Sequence, residues 1–379
     1  MNSAARADKS DAEVLFPEPR RNSLLVGQDA AGLALAEGFG SGRLAHAWLL
    51  TGPKGIGKAT LAYRFARHVL AGGGAADEGP SLFGGLVPAP ADDDPLFLAP
   101  EHPVFQRVAA GGHSDLVTLE RTVGTAGKLR SEIVVDDVRD TIRFLKLTAG
   151  EGGWRVVIVD SADDLNPNAA NALLKVLEEP PARVVLILIS HNPGRLLATL
   201  RSRCRKLRLA ELDDATLERL LAEYLPDLAA DERQDLLRLA DGSIGRALEL
   251  ARADGAELHT QILDFLDAMP IPSITDLQSF GATMTRGDGA ERFETFADLL
   301  RRSLAAIICR AGGSAPAPAQ ANARESEIFG RLATTGGLDR WLQVWDKTDE
   351  LLRRTNHLSL DRKQVILNVF LTIAEAARG

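Results

Sequence analysis

The feature that most restricts what this chain can become is a glycine-rich turn, Gly52-Pro-Lys-Gly-Ile-Gly-Lys58. It is preceded by a short apolar run, His46 to Thr51, and followed by Leu61, Ala62, Phe65, Ala66 and Val69 at helical spacing. Strand, glycine loop and helix in that order form the context in which this pattern cradles phosphate. Glycines at 52, 55 and 57 let the backbone wrap an anion with its N–H groups. The helix after the turn presents its positive end, and Lys58 reaches the outer phosphates. The residues expected to line a nucleotide are therefore Gly52, Pro53, Gly55, Ile56, Gly57, Lys58, Ala59 and Thr60.

Further strand-like runs occur at Leu116 to Leu119, Val156 to Val159, Val184 to Ile189 and, more weakly, Lys206 to Leu209. Helical stripes lie between them: Val138, Ile142 and Leu145, then Ala170, Leu173, Leu174 and Leu177, the second ending at Pro180-Pro181. This alternation predicts an α/β domain with a mostly parallel sheet. From Leu212 the strand signal stops, and a helical pattern runs through Leu217, Leu220, Leu221, Leu236 and Leu239 to Gly242. A second helical region begins near Ile271, is interrupted by the Gly/Ala/Pro-rich stretch Ala311 to Ala323, and ends in Val365, Val369 and Ile373. Three domains are expected, at residues 1–210, 211–268 and 269–379. Composition predicts poor order for Met1 to Arg20 and for Ala71 to about Pro100, and the whole span from Ala71 to Gly112 reads as loop.

The parts that would hydrolyse a nucleotide are incomplete. The Ser or Thr hydroxyl that holds Mg²⁺ after the lysine is replaced by Ala59, and Thr60 is turned ~100° away on a helix. Val156-Val-Ile-Val-Asp160 is a buried strand ending in a carboxylate that suits a metal shell. The next position, where a general base would stand, is Ser161, whose hydroxyl is no base near neutral pH. Asp163 and Asp164 are candidate replacements, against the plainer reading of a solvated acidic turn before Pro167. By position alone Arg203 is one of four arginines, with Arg195, Arg201 and Arg205, on an ordinary basic face. Gly242-Ser-Ile-Gly-Arg246 is first a turn signal between helices and second a source of a phosphate ligand, Arg246.

The net charge of −8 argues against a surface that grips nucleic acid throughout, because phosphate neutralisation needs a concentrated basic face. No apolar run approaches the ~18 residues that a bilayer crossing requires. The two cysteines, Cys204 and Cys309, and seven scattered histidines give neither a disulfide framework nor a zinc quartet. A soluble cytoplasmic protein with no metal held by its own side chains is expected.

Together, Gly52 to Thr60, Val156 to Asp160, the run from Asn166 through Leu-Leu-Lys-Val-Leu-Glu-Glu-Pro-Pro181, Ser202-Arg-Cys204 and Gly242 to Arg246 resemble the AAA+ clamp-loader subunits. The resemblance covers nearly the whole chain. It implies a RecA-like P-loop domain, a small helical lid and an all-helical collar that joins a ring of related subunits. The losses at Ala59 and Ser161, and a chain ending after the third domain, point to a non-hydrolysing stator rather than a gamma-type ATPase motor, which stays the alternative. The resemblance implies that Arg203 serves in trans as an arginine finger on a neighbour's ATP, that Arg246 falls at sensor 2 and Ser190 to Asn192 at sensor 1, and that ATP or ADP is held without hydrolysis. The implied partners are gamma/tau and delta subunits, a sliding clamp and, indirectly or locally, primed DNA, within a DNA polymerase holoenzyme. Many relatives carry a four-cysteine zinc module after the P-loop helix. Ala71 to Gly112 contains no cysteine, so no zinc is expected.

Overall fold

The computed structural model describes residues 18–72, 94–124, 129–147, 149–150, 153–285, 289–314, 322–358 and 360–378. The stretches expected to be poorly ordered, 1–20 and about 71–100, lie largely outside these residues. The described chain divides into two compact units. One runs up to Pro226 and takes in Gly242–Gly245; the other comprises Asp227–Asp241 and Arg246 onward.

The first unit is built on five strands: β1 (Ala47–Thr51), β2 (Leu116–Leu119), β3 (Arg155–Val159), β4 (Val184–Ser190) and β5 (Arg205–Arg208), in the spatial order β2-β3-β4-β1-β5. All pairings are parallel, as the alternation implies. Side chains alternate between two apolar layers. Trp48 and Leu50, Val156 and Ile158, and Val185, Ile187 and Ile189 face α1 (Asp29–Gly40), α2 (Lys58–Leu70) and α3 (Pro103–Ala109). Ala47 and Leu49, Val157 and Val159, and Val184, Leu186 and Leu188 face α4 (Val135–Lys146), α5 (Pro167–Glu178) and α6 (Ala198–Ser202). The unit closes with α7 (Asp214–Tyr224). Helix α3 corrects the reading of 71–112 as loop. Pro103 stands in its first turn, and Nδ1 of His102 caps it by accepting from Val104 N at 3.1 Å.

Helix α5 is delimited at both ends by its own sequence. Asn166 Oδ1 accepts from Ala169 N at 2.9 Å, Pro167 opens the helix, and Pro180-Pro181 stand just past its end. Leu173, Val176 and Leu177 are buried against the sheet. Each such side chain contributes about 1.5–3 kcal/mol by leaving water, which makes α5 a fixed mount.

In the second unit every described element is helical: α8 (Ala230–Ala240), α9 (Ile244–Arg252, whose first two residues belong to the first unit), α10 (Gly255–Asp267), α11 (Ile274–Thr283), α12 (Gly289–Ala311), α13 (Ala323–Leu358, interrupted at Gly337) and α14 (Arg362–Ala377). Its aromatic core joins Phe265, Phe280, Phe293, Phe296 and Phe370, with ring centroids 5.0 Å apart for Phe265 and Phe370. Beside it His259 is buried, its Nε2 3.3 Å from Glu325 Oε1. Arg238 also donates to that carboxylate oxygen. Burial, with Arg238 and Arg302 adding to it, lowers the His259 pKa to about 3.

The unfolded chain therefore takes up a proton near the ordinary histidine range that the fold resists, and stability falls as pH drops from about 6.5 toward 3. Denaturant titrations at pH 7 and pH 5 should show the wild type losing about 2 kcal/mol more than H259Q between the two values. Equal losses would remove His259 from the acid limb.

Candidate functional site

The turn after β1 is held from all sides. Gly57 caps α2 in a left-handed conformation, φ 97°, and a Cβ there would lie 2.7 Å from Leu25 Cδ1, so only glycine fits. Five consecutive carbonyls accept hydrogen bonds. Lys58 Nζ donates to Gly52 O at 2.7 Å and to Pro53 O, and Ser243 Oγ donates to Lys54 O at 2.7 Å. Gly245 N donates to Gly55 O at 2.9 Å, and Gln28 Nε2 to Ile56 O at 3.1 Å. With its carbonyls so engaged the loop has fixed peptide planes, and α2 directs its positive end into it. Burial lowers the Lys58 pKa to about 8, opposed by Asp160 and Asp163, so the ammonium stays charged at neutral pH. This cradle fits a phosphate. The metal side fits less well: Ala59 offers no oxygen, and Thr60 is buried on α2.

Asp160 comes directly after β3, and its carboxyl is raised above the usual range by burial and by Glu120, with Lys58 acting against both. Ser161 is buried, and its hydroxyl bonds the Asp164 carboxylate, which also meets Arg121 Nε at 3.3 Å. Asp163 is fully employed. Its carboxylate accepts from Ser190 Oγ at 2.9 Å, His191 N at 2.5 Å and Asn192 N at 3.3 Å. Three donors on one carboxylate tie the end of β4 to the turn after β3. That is the work of a brace, and it leaves the oxygens poorly placed to take a proton from water. The His191 pKa is lowered to about 4, by partial desolvation first and then by Lys58, with Asp163 opposing.

Arg203 caps the short helix α6 just before β5. Each member of its tripeptide has a distinct environment. Ser202 Oγ donates to Thr199 O at 3.0 Å. Cys204 is buried in the layer that holds Leu177 and Leu200, and burial raises its thiol pKa to about 11, so it is an anchor and no nucleophile. Arg203 stays at the surface, with Nη1 donating to Thr199 O at 2.9 Å and Nη2 to Glu178 Oε1 at 2.6 Å. Its neighbours behave differently. Arg205 stacks 4.7 Å from the Trp48 ring on the edge strand β5, whose charged residues discourage strand addition.

The structure thus brings Gly52 to Thr60 and Asp160 together around one turn and sets Arg203 on another rim of the same unit. Arg246 belongs to the second unit, where its guanidinium meets Asp298 at 2.7 Å and Asp241 at 3.8 Å. Sequence reasoning missed Gln28, Ser243 and Glu178. Gln28 donates to Ile56 O and Ala210 O across 28 and 182 positions, and Ser243 to Lys54 O across 189, for which no local pattern exists. Glu178 stood inside a recognised run, but its partner lies 25 residues on. Among the described residues no group of three or more His, Cys, Asp or Glu could hold a metal ion, and no helix is long and apolar enough to cross a membrane.

A family model described as DNA polymerase III, delta subunit, matches residues 99–213. The chain is 37% identical over 225 residues to DNA polymerase III subunit delta′ of Pseudomonas aeruginosa, covering 59% of this chain and 61% of that protein. It is 37% identical over 199 residues to subunit delta′ of Escherichia coli K12, covering 52% and 57%. Subunit tau of Salmonella typhimurium is 30% identical over 236 residues, covering 61% of this chain and 33% of tau. The chain thus spans about three fifths of the length of the delta′ relatives it matches and about a third of that tau subunit.

The seating of Gly245 gives a test with an unusual sign. Gly→Ala inside a helix ordinarily stabilises by about 0.5–1 kcal/mol. Here the added Cβ would lie 2.7 Å from Gly55 Cα, so G245A should destabilise the chain by about 1–3 kcal/mol in denaturant unfolding. A stabilised variant would show that the turn does not rest on the P-loop.

Proposed function

We propose that this relative of the DNA polymerase III delta′ subunits is a non-hydrolysing stator in a clamp-loading assembly. The observation that carries this reading is the division between two rims of the first unit. One rim has the glycine loop and Lys58 with Ala59 and Ser161 at the positions of the metal ligand and the base; the other presents a surface arginine held at two of its nitrogens. In the cradle, the loop backbone and Lys58 would hold the phosphates of ATP or ADP, and Asp160 would face any ion that accompanied them. Bound ATP supplies the phosphoanhydride. Ala59 and Ser161 supply neither a metal ligand nor a base for cleaving it.

Arg203 then serves a nucleotide held by a neighbouring gamma/tau-type subunit. A planar guanidinium reaching a γ-phosphate from outside neutralises charge that builds on the equatorial oxygens as the bond breaks. The helical segment 269–379 joins the ring as its collar, 211–268 acts as the lid, and the assembly with delta opens a sliding clamp and places it on primed DNA. The competing reading, a gamma-type motor, needs Asp163 or Asp164 as base. Asp163 has three donors on its carboxylate, and Asp164 is paired with Arg121 and Ser161.

The test uses the chain reconstituted with its gamma/tau and delta partners. R203A should leave assembly intact by size exclusion while lowering the DNA-stimulated ATPase rate and clamp loading of the complex about tenfold or more. An unchanged rate in a fully assembled complex would overturn the reading.

A further inference from the structure

We infer that Glu178 is a positioning residue for Arg203, holding the guanidinium in the orientation in which it meets an incoming phosphate. This rests on the reading of Arg203 as a finger. An unrestrained surface arginine samples many rotamers, and a misplacement of about 1 Å at a reacting centre can cost on the order of 10²-fold in rate. Arg203 is not unrestrained. Its two terminal nitrogens are held by acceptors from two separate elements, the Glu178 carboxylate at the end of α5 and the Thr199 carbonyl in α6. Two acceptors on a rigid planar group define its plane. The guanidinium has five N–H groups, so these two bonds leave Nε–H and one N–H on each terminal nitrogen for an anion.

The mount itself is firm. Glu178 is the last residue of α5, whose cap and buried Leu173, Val176 and Leu177 fix where its backbone lies. The negative end of that helix favours a cation beside it. Cys204, buried directly after Arg203, fixes the other partner's backbone. The pair is also open. The Arg203 and Glu178 side chains are 35% and 49% exposed, so the bond orients without removing the guanidinium from reach. At that exposure a carboxylate–guanidinium pair is weak enough for a phosphate to share the arginine.

A positioning role affects the transition state more than nucleotide binding, so the rates should divide accordingly. In the reconstituted complex, E178A should lower kcat for ATP hydrolysis about three- to tenfold, with KM for ATP and assembly unchanged. E178Q keeps the acceptor oxygen and should retain at least half of the wild-type rate. Because Gln is isosteric with Glu on an exposed helix end, it also decides the matter if the alanine variant fails to fold. In the R203A background, E178A should cause no further loss. If R203A lowers the rate while E178A and E178Q match or exceed wild type, the positioning role is overturned and the finger stands. If R203A itself has the wild-type rate, the finger reading fails and this inference with it. A loss in E178A that persists in the R203A background would make Glu178 structural and overturn the inference.

Discussion

The P-loop of this chain is fastened by its carbonyls. From Gly52 to Ile56 each one accepts a hydrogen bond from Lys58, Ser243, Gly245 or Gln28, donors drawn from three separate stretches of sequence. A short glycine-rich loop left to itself has high backbone entropy. Here the turn before α1, the start of α2 and the 242–245 turn meet on it, and Leu25 covers Gly57. The arrangement orders the cradle and at the same time makes it part of the scaffold. A loop that supports its surroundings in this way is held in one shape by them.

The same economy appears on the second rim. Helix α5 buries one face in the sheet and brings Glu178 to Arg203 with the other end. Asp163, which the bare sequence left open as a base, is instead the brace that ties β4 to the turn after β3. In both places a carboxylate holds geometry: Asp163 beside the P-loop and Glu178 beside Arg203. The Arg203 guanidinium is both oriented and open to solvent.

Much of this was legible in the sequence because it depends on local period and spacing. The five strands are signalled by short β-branched and leucine runs, and α5 by an apolar stripe bounded by Asn166-Pro167 and Pro180-Pro181. The P-loop is signalled by three glycines and a lysine between a strand and a helix. Helix α3 was hidden because its seven residues are shorter than two helical turns and come after a stretch biased in Gly, Ala, Pro and Asp. The bonds of Gln28, Ser243 and Glu178 were hidden for another reason. Each joins positions that only tertiary packing brings together, and a single sequence carries no periodic trace of such pairs. The consequence for Asp163 was hidden likewise, since an acid before a helix looks the same whether it is solvated or braced.

The central claim is that this P-loop holds phosphate without turning it over, and that the chain's share in catalysis has moved to Arg203. The most direct measurement is Mg²⁺-dependent phosphate release by the purified chain alone, with ATP in excess. A rate at background is expected for wild type and for K58A alike. Turnover above background that K58A abolishes would contradict the claim, because the hydrolytic parts would then be present in a form that Ala59 and Ser161 do not reveal.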